Sequence, residues 1–187
     1  DFGDGVKTIL AATKSMAEKT GHPELEHAPF VATGHSASSG AGFMLATDAP
    51  DRLITLATGG LEYRPATEAM RRVPTMIWYG ARDGGQPKVH ADNLAQARAN
   101  GALFGIAPQW GAGHDFGFAP NLIHAMWFQS IARRYPAGKS PKDGPVALKA
   151  IEESSGWLGS TESWQQLSNG KQQLDPGAPS PVQPWSQ

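Results

Sequence analysis

The chain contains no cysteine. That absence removes zinc fingers, iron–sulfur ligation, disulfide scaffolds and cysteine nucleophiles together. It leaves the compartment open, because a cysteine-free chain suits either side of a membrane. Charge is sparse and balanced: charged residues make up 18%, with 16 Lys and Arg against 17 Asp and Glu. With a pI near 6.7 the chain lacks the basic footprint of a nucleic-acid partner. No uncharged apolar run approaches the ~18 residues that cross a bilayer. What is present is one domain's worth of chain, 187 residues, 40% of them apolar and able to form a core.

Hydrophobic periodicity organises the first 135 residues. Val6, Ile9, Leu10, Thr13, Met16 and Ala17 recur at a helical period with Lys7, Lys14 and Glu18 opposite, and Gly21 and Pro23 end the run. Residues 22–29 read as a polar connection. Apolar strands are predicted over 30–33, 53–58, 74–80 and 103–107, each followed by a glycine-bearing turn or a helix. The intervening helices are predicted over 37–47, 66–72 and 90–100, and a last one over 120–135. Alternating strands and helices imply an α/β fold, a parallel sheet with helices on both faces. The expected domain is 1–135. Residues 136–187 hold seven of the chain's 15 prolines. Residues 136–168 read as an irregular wrap on the domain, anchored by Trp157 and Trp164, and 169–187 as a loosely packed or disordered Gln/Pro/Ser-rich tail.

The stretch Gly34-His35-Ser36-Ala37-Ser38 falls where the first strand meets a helix. A serine at so sharp a turn is pushed above the sheet by its backbone, and the residues two before and two after it must be small. Gly34 and Ser38 meet that need. The N–H of Ala37, at the first turn of the helix, is aimed to stabilise an oxyanion beside the Ser36 oxygen, aided by the helix N-terminus. The alternative is a serine that only caps the helix.

The pentapeptide resembles the nucleophile elbow of the α/β-hydrolase family, G-x-S-x-G, with Ser38 in place of the last glycine. The resemblance implies a chain order of serine, acid, then histidine at the carboxyl ends of parallel strands. Gly80-Ala81-Arg82-Asp83 resembles the acid-bearing turn, and Gly111-Ala112-Gly113-His114-Asp115 the histidine loop. Glu62 and Asp115 are rival acids, the latter placed too close in sequence to reach the far ring nitrogen. The implied activity is that of a serine hydrolase acting on a carboxylic ester through an acyl-enzyme, with Ser36, His114 and Asp83 as the triad and no cofactor. The resemblance is to esterases and polyester depolymerase-like hydrolases, so the expected partner is a small or polymeric ester. His35, Tyr63, Trp110 and Phe116 are candidates to border its pocket.

The likeness runs from the helix before the nucleophile strand to about Tyr135, so the expected sheet lacks the family's first strands and the loop that completes the oxyanion hole. An upstream half or a second chain is expected to cover the open edge. As metal ligands, His90 and Asp92, one residue apart on a predicted helix, point to different sides, and His114-Asp115 is a pair without a third ligand at metal spacing. Peptidase and acyltransferase chemistry would use the same triad. A non-catalytic binding protein of the same fold is the alternative from a different class. The Trp/Pro/Gln-rich end and low lysine content lean toward export.

Overall fold

A computed structural model describes residues 4–60, 65–84, 86–117, 119–152, 157–159 and 182–184, with only the backbone of 86–92 and of the last two segments. Two units result, Asp1–Ala150 and Ile151–Gln187. The second carries a short antiparallel pair, Trp157–Gly159 (β5) with Val182–Pro184 (β6).

In the first unit the order is α1 (Gly5–Thr20), α2 (Glu24–His27), β1 (Phe30–His35), α3 (Ala37–Asp48), β2 (Leu53–Gly59), β3 (Thr75–Gly80), α4 (Gln86–Ala99), β4 (Phe104–Gln109) and α5 (Ala119–Arg134). The four strands form one parallel sheet in the order β1-β2-β3-β4. Each strand is followed by a connection long enough to return the chain, which parallel pairing demands. This is the α/β class: one parallel sheet with α1, α3 and α4 on one face and α5 on the other. β1 is an edge among the described strands.

Each face of the sheet has its own core. On one side Val6, Phe43, Leu56, Ile77, Leu94 and Phe104 pack together, gathering α1, α3 and α4. On the other, Ala57 and Trp78 meet Ala119 and Ile123 of α5. The neighbours Leu56/Ala57 and Ile77/Trp78 thus point to opposite faces, as the strand period of two requires. Interior β2 is buried along its whole length, whereas β1 is mostly half-buried.

Several elements depart from the sequence expectations. The polar connection contains one helical turn, α2, opened by Pro23. The helix expected over 66–72 is only a 3-10 turn, Ala69–Arg72. Helix α4 begins four residues before His90 and takes Pro87 into its first turn, where the missing N–H costs no helical bond. Strand β4 continues through Pro108 to Gln109. It is the other edge strand, the place where a proline without an N–H is tolerated.

Arg134, at the end of α5, is 5% exposed and stitches three segments together. Its Nη1 donates to the carbonyls of Leu53 (2.8 Å) and Ile54 (2.6 Å), and its Nε to that of Lys149 (3.1 Å). Burial pulls its pKa below the ordinary arginine value, with Asp51 opposing that shift. Substituting Arg134→Met keeps the aliphatic stem while stranding buried carbonyls at the start of β2. It is expected to lower unfolding stability by about 3 kcal/mol, read by urea denaturation. A loss of only a few tenths would show that these carbonyls find other donors.

Candidate functional site

The site begins with a turn. Ser36 sits between β1 and α3 with φ 54° and ψ −127°, the one non-glycine residue with positive φ among the described residues. Such a conformation costs about 1–3 kcal/mol and persists only where the surroundings over-determine it. Here the surroundings are visible. The Ser36 N–H donates to the Gly59 carbonyl at 2.8 Å, which ties the turn to the end of β2. Ser39, fully buried, places its hydroxyl 2.8 Å from the same carbonyl and 3.1 Å from that of Gly34. A Cβ on Gly34 would run into the Ser38 carbonyl and the Ser39 nitrogen, so no larger residue fits there. Ser38 Oγ accepts from the His35 N–H and lies within bonding distance of the His35 carbonyl, both at 2.8 Å. At this position a serine adds a clamp across the turn that glycine lacks. Ala37 is the first helical residue, so its N–H has no partner inside α3.

Asp83 and His114 meet above the ends of β3 and β4. His114 Nδ1 lies 2.8 Å from Asp83 Oδ2, with side chains 49% and 22% exposed. Backbone bonds hold the two loops in register: Ala81 N–H donates to the Gln109 carbonyl and Arg82 N–H to that of Ala112, each at 3.0 Å. Gly80 is bare because the carbonyls of Ala112 and Gly113 fill the place of a Cβ. Ser36, Asp83 and His114 thus share the carboxyl end of one parallel sheet. No hydrogen bond joins Ser36 to His114 among the described residues. Of the rival acids, Asp115 makes no hydrogen bond to His114, and Glu62 lies outside the described residues.

An aromatic group gathers around His35, whose ring in turn meets that of His114. The His35 ring lies 4.9 Å from that of His114, 4.7 Å from Phe116 and 6.3 Å from Trp78, nearly parallel to the indole. Phe116 also contacts Trp78 at 5.7 Å and is itself 43% exposed. Gly60 passes beneath with φ 63°; a Cβ there would lie 2.5 Å from His35 Nε2 and 3.2 Å from His114 Cε1. Burial lowers the His35 pKa, and the nearby His114 lowers it further, against smaller opposing effects of Asp83 and Asp115.

Trp110 lies apart from this group and lines a cavity of about 520 Å3 with Pro108, Gln109, Ala112, Asp115 and Leu122. Tyr63 and Trp164 lie outside the described residues. Among the described residues no three His, Asp or Glu side chains gather as a metal site, and no helix is long and apolar enough to cross a membrane. Ser39, Gly60 and Trp78 escaped sequence reasoning. The available signals were faint: a serine inside an otherwise small, apolar helix start, and a double glycine closing a buried strand.

Solved structures that resemble the chain include two hydrolases. One is MGS-MChE2, an alpha/beta hydrolase enzyme from the metagenome of sediments from the lagoon of Mar Chica, Morocco. It is 14% identical with a TM-score of 0.44, over 68% of this chain and 71% of that one. The other is a predicted CIB-like hydrolase from Thermoplasma acidophilum, 17% identical with a TM-score of 0.46, over 70% of this chain and 61% of that one. No protein-family model and no curated protein matches the chain.

Two expectations follow from the geometry. Ser36→Gly removes the positive-φ strain at a smaller entropic cost, so it should be more stable than Ser36→Ala by about 1 kcal/mol in urea denaturation. A less stable glycine variant would mean that the turn is unstrained. Second, the lowered His35 pKa means that the unfolded chain binds the proton more readily. Stability from the neutral ring is present above the ordinary value of 6.5 and declines as pH falls below it. His35→Phe should flatten that part of the stability–pH curve. An unchanged slope between pH 7 and 5 would count against it.

Proposed function

We propose that the chain is a serine hydrolase that cleaves a carboxylic ester by way of an acyl-enzyme, on the α/β-hydrolase plan. The observation that carries this reading is the pairing of Asp83 with His114 Nδ1 at 2.8 Å, at the same sheet end as a serine held at φ 54°. A strained serine at a strand-to-helix turn needs a reason to persist, and exposing a nucleophile is one.

In this reading Ser36 Oγ attacks the ester carbonyl as its proton passes to His114 Nε2. Asp83 accepts from Nδ1–H, which fixes the tautomer and stabilises the imidazolium. The Ala37 N–H faces the developing oxyanion, a contribution on the order of 3 kcal/mol to the transition state. The carbon–oxygen bond to the alcohol then breaks, and the alcohol leaves with the proton from Nε2. Water attacks the acyl-enzyme, gives a proton to His114, and the acid departs as Ser36 recovers its own. The absent Ser36–His114 hydrogen bond fits a substrate-free site, where such contacts are loose and tighten on binding. The exposed Phe116 favours a substrate with an apolar or aromatic group.

One oxyanion donor is half of the usual pair. The outer edge of β1, the strand that leads into Ser36, is unpaired among the described strands, and this supports a second element of this reading. A parallel strand from an upstream segment or another chain pairs there and brings the second donor.

A fluorophosphonate tests both elements, with peptide mass spectrometry to locate the adduct. Labelling is expected on Ser36, and His114→Ala should abolish it. An upstream-extended version should label faster than this chain. If a folded, extended protein does not label, the hydrolase reading fails and a binding protein of the same fold takes its place.

A further inference from the structure

We propose that His35 is a positioning residue for His114, its ring forming a side wall that keeps the neighbouring imidazole in the plane set by Asp83. The catalytic consequence rests on the hydrolase reading; the positioning itself does not.

A hydrogen bond at Nδ1 anchors one atom of an imidazole and leaves the ring free to swing about that point. His114 is about half exposed, so bulk packing does not stop the swing. Two contacts do. The bare Cα of Gly60 lies beneath Cε1, and the His35 ring stands 4.9 Å away at 48° to the His114 plane. With Asp83, the supports come from the ends of three different strands, β1, β2 and β3.

A wall must itself be fixed. His35 is backed by Trp78, whose side chain is fully buried and whose plane lies within 9° of the imidazole, and it is flanked by Phe116. Its backbone N–H and carbonyl are held by Ser38. His35 Nε2 is buried without a hydrogen-bond partner. The ring's shape, and not a bond from that nitrogen, is therefore what His114 meets. A flat neutral ring of another kind should serve as well. Neutrality also matters, because a second cation at this distance would oppose the imidazolium that His114 becomes. The groups bearing on His35 are His114, Asp83 and Asp115, and burial outweighs the two carboxylates in keeping it uncharged.

The test compares His35→Ala and His35→Phe in the full chain, with no substrate present. One readout is the downfield proton resonance of His114 Nδ1–H in its bond to Asp83. The other is the rate at which a fluorophosphonate labels Ser36. His35→Ala should lose the resonance to solvent exchange and slow labelling on the order of tenfold to a hundredfold, as misplacement of a reacting group does. His35→Phe should restore both. If the alanine variant fails to fold, the phenylalanine variant alone decides. A folded His35→Phe protein that has lost the resonance and the fast labelling overturns the proposal, as does an alanine variant that keeps both. Should the resonance respond as expected while even the parent chain is never labelled, positioning stands and the hydrolase reading falls.

Discussion

The carbonyl of Gly59 is the point on which this end of the sheet depends. It accepts the N–H of Ser36, and the buried Ser39 hydroxyl lies 2.8 Å from it. A parallel strand ends with carbonyls that have no further partner in the ladder, and here one of them is used to bend its neighbour. The turn at Ser36 costs a few kcal/mol at most, and two or three hydrogen bonds of about 1 kcal/mol each offset it. Without that tie, the chain would leave β1 by a looser turn and the serine would fall among the helical residues of α3.

The other loops depend on close approach. Gly80 and Gly60 are both bare where another chain segment or ring presses against them. At Gly80 the histidine loop lies directly on the acid-bearing turn, so the Asp83–His114 bond is short although both side chains are partly exposed. Partly exposed pairs of this kind add little to stability. Their effect is orientational: the carboxylate selects which ring nitrogen carries the proton. The aromatic group of His35, Trp78 and Phe116 then lowers the local polarity on one side of the imidazole while solvent reaches the other.

Much of this arrangement is legible in the chain. Gly34, Ser36, Asp83 and His114 each stand just after an apolar run, and glycine punctuates every loop that carries them. Strand positions were readable for the same reason, since parallel strands are unbroken apolar segments between turn residues. Short features were not. Helix α2 is a single turn with no room for a period, and α4 starts at Gln86, four residues before the expected His90, with Pro87 in its first turn. Strand β4 runs past the expected 103–107 through Pro108 to Gln109, and nothing local says that it is an edge.

Apolar runs and the small residues around Ser36 by themselves determined the α/β class, the strand sequence and the sharp turn that carries Ser36, because local sterics and periodicity govern those features. Asp83 and His114 were legible only through the resemblance of their loops to the α/β-hydrolase pattern. The neighbours of His114 were decided only by tertiary structure. His35 and Gly60, with Trp78 behind His35, come from the ends of β1 and β2 and from β3, and nothing in their spacing shows that the sheet brings them together. The 2.8 Å approach of Asp83, the acid already favoured over Asp115 in the sequence, to Nδ1 is of the same kind. It follows from loop registers held by backbone bonds between β3 and β4, and such registers exist only once the sheet has formed.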